Sequence, residues 1–551
     1  MRALGRVCVP LLAALSLCCA GATGPVAPQP PGEARFTILQ INDVYKIEGL
    51  EGGRFGGLAR VRTLRRELEA EGRPVLVLHA GDIFFPSVMS KYLRARPMVE
   101  TLNLLDGDRA ARDPRLIAVF GNHEFDEKDP GLVLGRVAQS DFAWVSSNVR
   151  YRSDKDAVGE PFSARLTNVQ ETLVLELAGV RVGIFGLTTD AQPRDYVSYA
   201  YDLPERRAAV RAALERLRRE RADVIVALTH QDLEEDVRLA SEFPEIALVV
   251  GGHEHFSIQR KVGRTWVTKA DADAKSAVVH DVRVRGKAVE ATPRKVILGP
   301  ETPGDPQVEA EVEAWMAELS KAIKTQTGRD PLAVVGTTEN LLEGVEPAVR
   351  GRETALGNFL ADVLRDRMKT DLALVNGGAI RINDNIPPGP IQGYDLEGIF
   401  TFDNAVVSFE LSAAQLLEAL RTSVAKVHAG HGRFLQVSGI RFRYHVSGAP
   451  ENPAYRIDPA DVSVRPRGAE GFVPLDLTRR YTIASLDYLW ENGCRDGYAV
   501  FSKGCGGESP RRLDSGPRLG WRAVTEEALA ALPGRRVTAK IEGRITAESP
   551  P

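Results

Sequence analysis

The segment Gly121-Asn122-His123-Glu124-Phe125-Asp126 follows the apolar run Leu116 to Phe120, a pattern that reads as a buried strand opening into a polar turn. Four other apolar runs end the same way. Phe36 to Ile41 leads into Asn42-Asp43, Val75 to His79 into Gly81-Asp82, Val224 to Thr229 into His230-Gln231, and Ile246 to Val250 into Gly252-His253-Glu254-His255. Open α/β sheets bind ligands at the carboxyl ends of their strands, so these side chains are expected to collect along one sheet edge. Carboxylates, imidazoles and a carboxamide without a thiolate form a mixed N/O donor set, which suits Zn, Mn, Fe or Co better than Ca or a structural zinc. The donors outnumber the needs of one cation. Two divalent cations ~3.5–4 Å apart, bridged by a carboxylate, are the arrangement that serves displacement at phosphorus. Taken singly, an Asp after a strand is an ordinary turn residue and a buried His an ordinary hydrogen-bonded one. Five such sites at one topological position are not explained that way.

Helical patterns separate these runs, as in Leu58 to Leu68 and Glu205 to Arg221, and strands alternating with helices indicate a layered α/β domain. The segment Gly299-Pro300-Glu301-Thr302-Pro303-Gly304-Asp305-Pro306 interrupts the pattern, and a helix is expected over Val308 to Lys324. The 551 residues exceed one ordinary domain. The organisation read from the sequence is a signal at 1–22, a disordered linker at 23–35, a metal-binding domain at 36–300, a linker with a connecting helix at 301–330, and a second domain at 331–545, with a disordered tail from Thr546. The net charge of -3 supplies no basic field for a nucleic-acid polymer. Arg2 and Arg6 before the apolar run Val7 to Leu17, then small residues, mark an export signal. Lipid attachment at Cys18 or Cys19 competes there with cleavage after Ala20 or Ala22. Outside the signal only Cys494 and Cys505 are left of five cysteines, and in an oxidising compartment they are expected to bond to each other.

The motifs Asn42-Asp43, Gly81-Asp82, Gly121-Asn122-His123-Glu124, Thr229-His230 and Gly252-His253-Glu254-His255 resemble the calcineurin-like metallophosphoesterase signature, and their order resembles the 5'-nucleotidase family, which includes UDP-sugar hydrolases and ecto-5'-nucleotidases. The resemblance implies an N-terminal four-layer α/β/β/α domain joined to a C-terminal α+β substrate-binding domain. It places Asp43 and Asp82 on a first divalent cation, Asp82 as the bridge, and Asn122, His230 and His253 on a second. It makes His123 the group that stabilises the transition state or protonates the leaving oxygen, oriented by Asp126. One departure stands out. The family's Asn-Asp-x-His is here Asn42-Asp43-Val44-Tyr45, and His255 stands where the family often has an amide, so that His255 becomes the candidate sixth ligand. Tyr45, the alternative, would serve Fe(III) as a phenolate.

In the second domain, Asn376-Gly377-Gly378-Ala379-Ile380-Arg381 and Arg350-Gly351-Arg352-Glu353 resemble the family's substrate loops. The resemblance implies Arg350, Asn376 and Arg381 around the anionic group, Phe402 with Tyr488 or Trp490 around the base, and Asn404 and Asp496 as further nucleotide contacts. The expected activity is removal of the 5'-phosphate from nucleotides, with UDP-sugars as additional substrates, by an exported protein that is periplasmic, extracellular or lipid-anchored to the envelope. Alternatives within the architecture are a 2',3'-cyclic nucleotide phosphodiesterase with 3'-nucleotidase activity and a sulfur-compound hydrolase. A non-catalytic nucleotide-binding surface protein is the alternative of another class.

Overall fold

The computed structural model describes residues 32–191, 193–449 and 452–548; the expected signal at 1–22 and most of the expected linker lie outside the described residues. The strands that should deliver the site are β1 (Glu33–Ile41), β2 (Val75–His79), β3 (Leu116–Val119), β4 (Val224–His230) and β5 (Leu248–Gly251). They do not share one sheet edge, as the sequence reading had it. β1, β2 and β3 lie parallel in a seven-stranded sheet, whereas β4 and β5 pair parallel in a six-stranded one. The reason is that β2 to β5 are buried along their whole length, so their side-chain patterns carry no alternation that would assign a partner.

The two sheets face each other. Ile38, Leu76, Leu78, Ile117 and Val119 of the first pack on Val226, Leu228, Leu248 and Val250 of the second. The outer face of the first sheet is covered by α1 (Leu58–Ala70), whose Leu58, Val61, Leu64 and Leu68 form one buried stripe. The outer face of the second is covered by α2 (Leu203–Arg219) and α3 (Leu233–Glu242). The result is the four-layer α/β/β/α arrangement, with the carboxyl ends of all five strands opening at the same end of the sandwich.

The connecting helix α4 (Pro306–Thr327) starts where Asp305 accepts the Gln307 and Val308 N–H groups and stops at Gly328, which takes the left-handed conformation. Its Val308, Val312, Leu319 and Ile323 join the same core as α1. The helix is therefore packed as part of the first domain. The second domain centres on a five-stranded sheet in which Leu372–Asn376 lies between Leu435–Ser438 and Arg480–Leu486. The described ends of two stretches expected to be disordered lie in strands. Residues 33–35 of the linker extend β1 by pairing Glu33 with Arg285 and Ala34 with Val284, and residues 546–548 of the tail belong to the strand Ile545–Glu548, which pairs with Ile440–Ala449. In both, ladder hydrogen bonds to a partner distant in sequence outweigh a polar local composition. No helix among the described residues is long and apolar enough to cross a membrane.

Candidate active site

Asp43, Asp82 and His230 offer donor atoms that all lie within 4.8 Å of one another, and all three residues are buried. Asn122 adds its carboxamide oxygen, 3.0 Å from His230 Nε2 and 3.1 Å from His253 Nδ1. The tautomer of His230 is set from behind: Nδ1 donates to the Ala80 carbonyl at 2.8 Å, which turns Nε2 towards Asn122 and, at 3.2 Å, Asp82. His253 is held through its backbone N–H, which donates to Asp43 Oδ2 at 3.0 Å. The structure thus gathers Asp43, Asp82, Asn122, His230 and His253 into a single cluster. This donor set fits divalent cations. Burial disfavours charge on His230, yet the Asp82 and Asp43 carboxylates raise its imidazole to about 9. The carboxylates that draw a proton onto His230 would draw a cation in the same way.

The cluster is built from strained backbone. Asp43 (φ 52°), Asp82 (φ 57°) and His253 (φ 82°) all occupy the left-handed region. Gly121 must be glycine for a different reason, because a Cβ there would collide with the Asp82 carboxylate. A residue outside the expected site holds these turns together. Glu124 is fully buried, and its carboxylate accepts the N–H groups of Gly121, Asp82 (3.1 Å), Ile83 (2.5 Å) and Phe84 (3.1 Å). The residue was visible within the Gly-Asn-His-Glu run, but its role depends on contacts with a loop some forty residues earlier.

His123 lies beside the cluster. Its backbone N–H donates to Asp82 Oδ1 at 2.9 Å, while its imidazole Nδ1 faces Asp126 Oδ2 at 2.8 Å. Burial opposes protonation of this ring, but Asp82 and Asp126 prevail and raise it above the ordinary histidine value. Tyr45 also enters the cluster. Its hydroxyl donates to Asp82 Oδ2 at 2.8 Å and lies 3.3 Å from both Asp43 Oδ1 and His255 Nε2. Burial, reinforced by the Asp82 and Asp43 charges, pushes the phenol well above its usual value. His255 Nε2 stands 3.5 Å from Asp43 Oδ1. Tyr45→Phe is therefore expected to keep the metal stoichiometry and to lower turnover less than about tenfold, the loss of one hydrogen bond. Metal analysis together with a visible spectrum checks this: a coloured protein bleached by the substitution would restore the phenolate.

Residues 36–257 match the calcineurin-like phosphoesterase family, and residues 334–503 match the C-terminal domain of 5'-nucleotidases. The chain thus carries a calcineurin-like phosphoesterase domain followed by a 5'-nucleotidase C-terminal domain. Its homologues include the trifunctional nucleotide phosphoesterase YfkN of Bacillus subtilis, 27% identical over 94% of this chain; the chain spans 35% of that longer protein. The snake venom 5'-nucleotidase of Naja atra is 25% identical, with 88% of this chain and 94% of the venom protein aligned. A 5'-nucleotidase precursor from Thermus thermophilus superposes with a TM-score of 0.70 at 27% identity, covering 94% of this chain and all of that one. With these two domains and these homologues the chain is a metal-dependent phosphoesterase.

The second domain brings the arginines expected in this family to the mouth of the metal cluster. Arg350 and Arg381 both bond Glu346, Arg381 at 3.0 Å, and Arg381 lies close enough to His123 to oppose its protonation. A cleft between the domains is lined by Tyr45, His255, Glu346 and Arg381. The Arg381 guanidinium also sits 5.6 Å from the centre of the Phe402 ring, which is 50% exposed. Asn376 ends its strand buried, with Oδ1 unpartnered among the described residues. Asn404 accepts the Trp521 N–H on its backbone carbonyl.

The two candidate base-stacking aromatics separate. Trp490 is 9% exposed within the domain core, its indole N–H donated to the Pro510 carbonyl and its ring covered by Lys503 at 4.4 Å. Tyr488 is half-buried beside Asp496, and burial with that carboxylate raises its hydroxyl. Of the two, only Tyr488 has a ring left to offer. Asp496 further neighbours His431, Arg433 and Arg350, of which the sequence reading had named only Arg350. Cys494 and Cys505 form a disulfide across the same loop, with Cα atoms 6.3 Å apart.

Proposed function

We propose that this protein is an exported nucleotide phosphohydrolase that removes the 5'-phosphate from nucleoside monophosphates and also accepts UDP-sugars. One observation carries the reading: two arginines and an exposed aromatic from the second domain stand over a buried N/O cluster of the first. In this assignment Asp43, Asp82 and His255 hold one divalent cation and Asp82, Asn122, His230 and His253 the other. The pair would supply Lewis acidity and an activated water. Everything else is done by the chain. Arg350 and Arg381 bind the phosphate through forked donors. Phe402 and Tyr488 stack the base, with Asn376, Asn404 and Asp496 contacting the rest of the nucleotide. Asp126 holds the His123 Nδ1 proton, so that Nε2 delivers its own proton to the leaving 5'-oxygen. The Asp126 carboxylate, 2.8 Å from Nδ1, favours the protonated ring that this step needs. Export is supported by the N-terminal pattern and by the disulfide, since such bonds persist in oxidising compartments.

Phosphate release after metal reconstitution, measured over 5'-, 3'- and 2',3'-cyclic nucleotides and UDP-sugars, tests the reading. A preference for 3'- or cyclic nucleotides would replace it with the phosphodiesterase reading. Phe402→Ala is expected to raise KM for nucleoside monophosphates by about 5- to 150-fold, the equivalent of ~1–3 kcal/mol of base stacking. KM for p-nitrophenyl phosphate should stay nearly constant. Equal changes for the two substrates would remove Phe402 from the binding site.

A further inference from the structure

Glu346 touches both halves of this site, and no role above uses it. It lies one helical turn before Arg350, so the two side chains leave the chain on the same face. Its Oε1 accepts from Arg350 Nη2 and, at 3.0 Å, from Arg381 Nη1. Its Oε2 crosses the domain boundary to within 2.9 Å of His255 Nδ1. That contact is close but bent, and Nδ1 has no well-aligned acceptor among the described residues. The opposite nitrogen of the same ring, Nε2, faces Asp43. The imidazole is therefore held between a carboxylate of the metal cluster and a carboxylate of the other domain. Metal-ligating histidines are commonly oriented this way: the remote nitrogen donates to a carboxylate, which fixes the tautomer and makes the near nitrogen a better donor to the metal. Here the orienting group is shared with the two phosphate-binding arginines.

We propose that Glu346 is a positioning residue that links cation binding to nucleotide binding. It presents His255 to the cation on Asp43 and aligns Arg350 and Arg381 for the phosphate. A phosphate that takes up guanidinium donors loosens their hold on Oε1, and the carboxylate is then free to straighten its contact with His255 Nδ1. Nucleotide thereby tightens the cation at the His255 side, and by reciprocity that cation tightens the nucleotide. The inference rests on the nucleotide reading and on His255 as a ligand.

The test is calorimetric titration of the metal-stripped protein with Mn²⁺, with and without the non-hydrolysable adenosine 5'-(α,β-methylene)diphosphate. In the native sequence, one of two Mn²⁺ sites should tighten when the analogue is present. Glu346→Gln should weaken that site about 10- to 100-fold, leave the other unchanged and abolish the effect of the analogue. His255→Ala should give the same loss, and the double variant no further loss. The native titration decides the linkage even if Glu346→Gln fails to fold. The proposal is overturned if the analogue binds the loaded native protein without changing either Mn²⁺ affinity, if Glu346→Gln keeps both affinities within twofold, or if the two substitutions add. A protein in which Glu346→Gln weakens Mn²⁺ but 5'-nucleotides are neither bound nor hydrolysed would retain the link to His255 while refuting the nucleotide reading.

Discussion

His123→Ala is expected to lower kcat for nucleotide hydrolysis by about 10²–10⁴-fold with metal content unchanged, because a positioned proton donor contributes on that scale. His123 is bonded to the cluster through its backbone N–H to Asp82 Oδ1, and alanine keeps that bond. What is lost is the imidazole, whose Nδ1 is committed to Asp126, which leaves the other nitrogen to face the reacting group. Because Asp126 acts only through that ring, Asp126→Asn should have little further effect in the His123→Ala background. Substrates with a good leaving group, such as p-nitrophenyl phosphate, need less protonation and should lose less. Elemental analysis beside single-turnover kinetics is the measurement. Loss of bound metal in His123→Ala would move this residue into the ligand set.

Asp82→Ala should be more severe and of a different kind: both cations lost and hydrolysis reduced by on the order of 10⁴-fold or more, at least ~5 kcal/mol on the barrier. The Asp82 carboxylate takes the His123 N–H on one oxygen and the Tyr45 hydroxyl on the other, with His230 Nε2 also at 3.2 Å. Asp82 is the carboxylate of the cluster that meets both His123 and His230. Burial resists ionisation of this carboxyl, but His230 and His123 hold it well below the usual carboxylate range, so it is charged at any working pH. Alanine would take one carboxylate partner from both the Tyr45 hydroxyl and the His230 ring, leaving them Asp43 Oδ1 at 3.3 Å and Asn122 Oδ1 at 3.0 Å. Full metal retention in Asp82→Ala would exclude it as the bridge.

Much of the metal-binding domain was legible because buried parallel strands write themselves as unbroken apolar runs, and the first polar residue after each run falls where ligands bind. The same property hid the division into two sheets. An unbroken apolar run looks alike in Leu116–Val119 and in Val224–His230, and only long-range pairing separates the two strands. Burial of charge was the second blind spot. Glu124 and Glu346 read as ordinary polar residues beside a motif, yet each is buried and accepts several donors from segments remote in sequence. The sequence leaves Tyr488 and Trp490 open for a third reason. Two aromatics two residues apart in a short helix point to opposite surroundings, and the partners that cover Trp490, Pro510 and Lys503, come from the later disulfide-linked segment.

The left-handed backbone at Asp43, Asp82 and His253 sets stability against activity. Each such residue carries a conformational cost of order 1–3 kcal/mol that glycine would largely avoid. Metal-free Asp82→Gly should accordingly unfold at a higher temperature than metal-free Asp82→Ala, although both are inactive. A search for thermostable variants that scored folding alone would drift towards glycine at these three positions and discard the ligands. The chain retains carboxylate and imidazole there at the expense of its own stability, and the margin it holds against unfolding is correspondingly easiest to enlarge where enlargement would end catalysis.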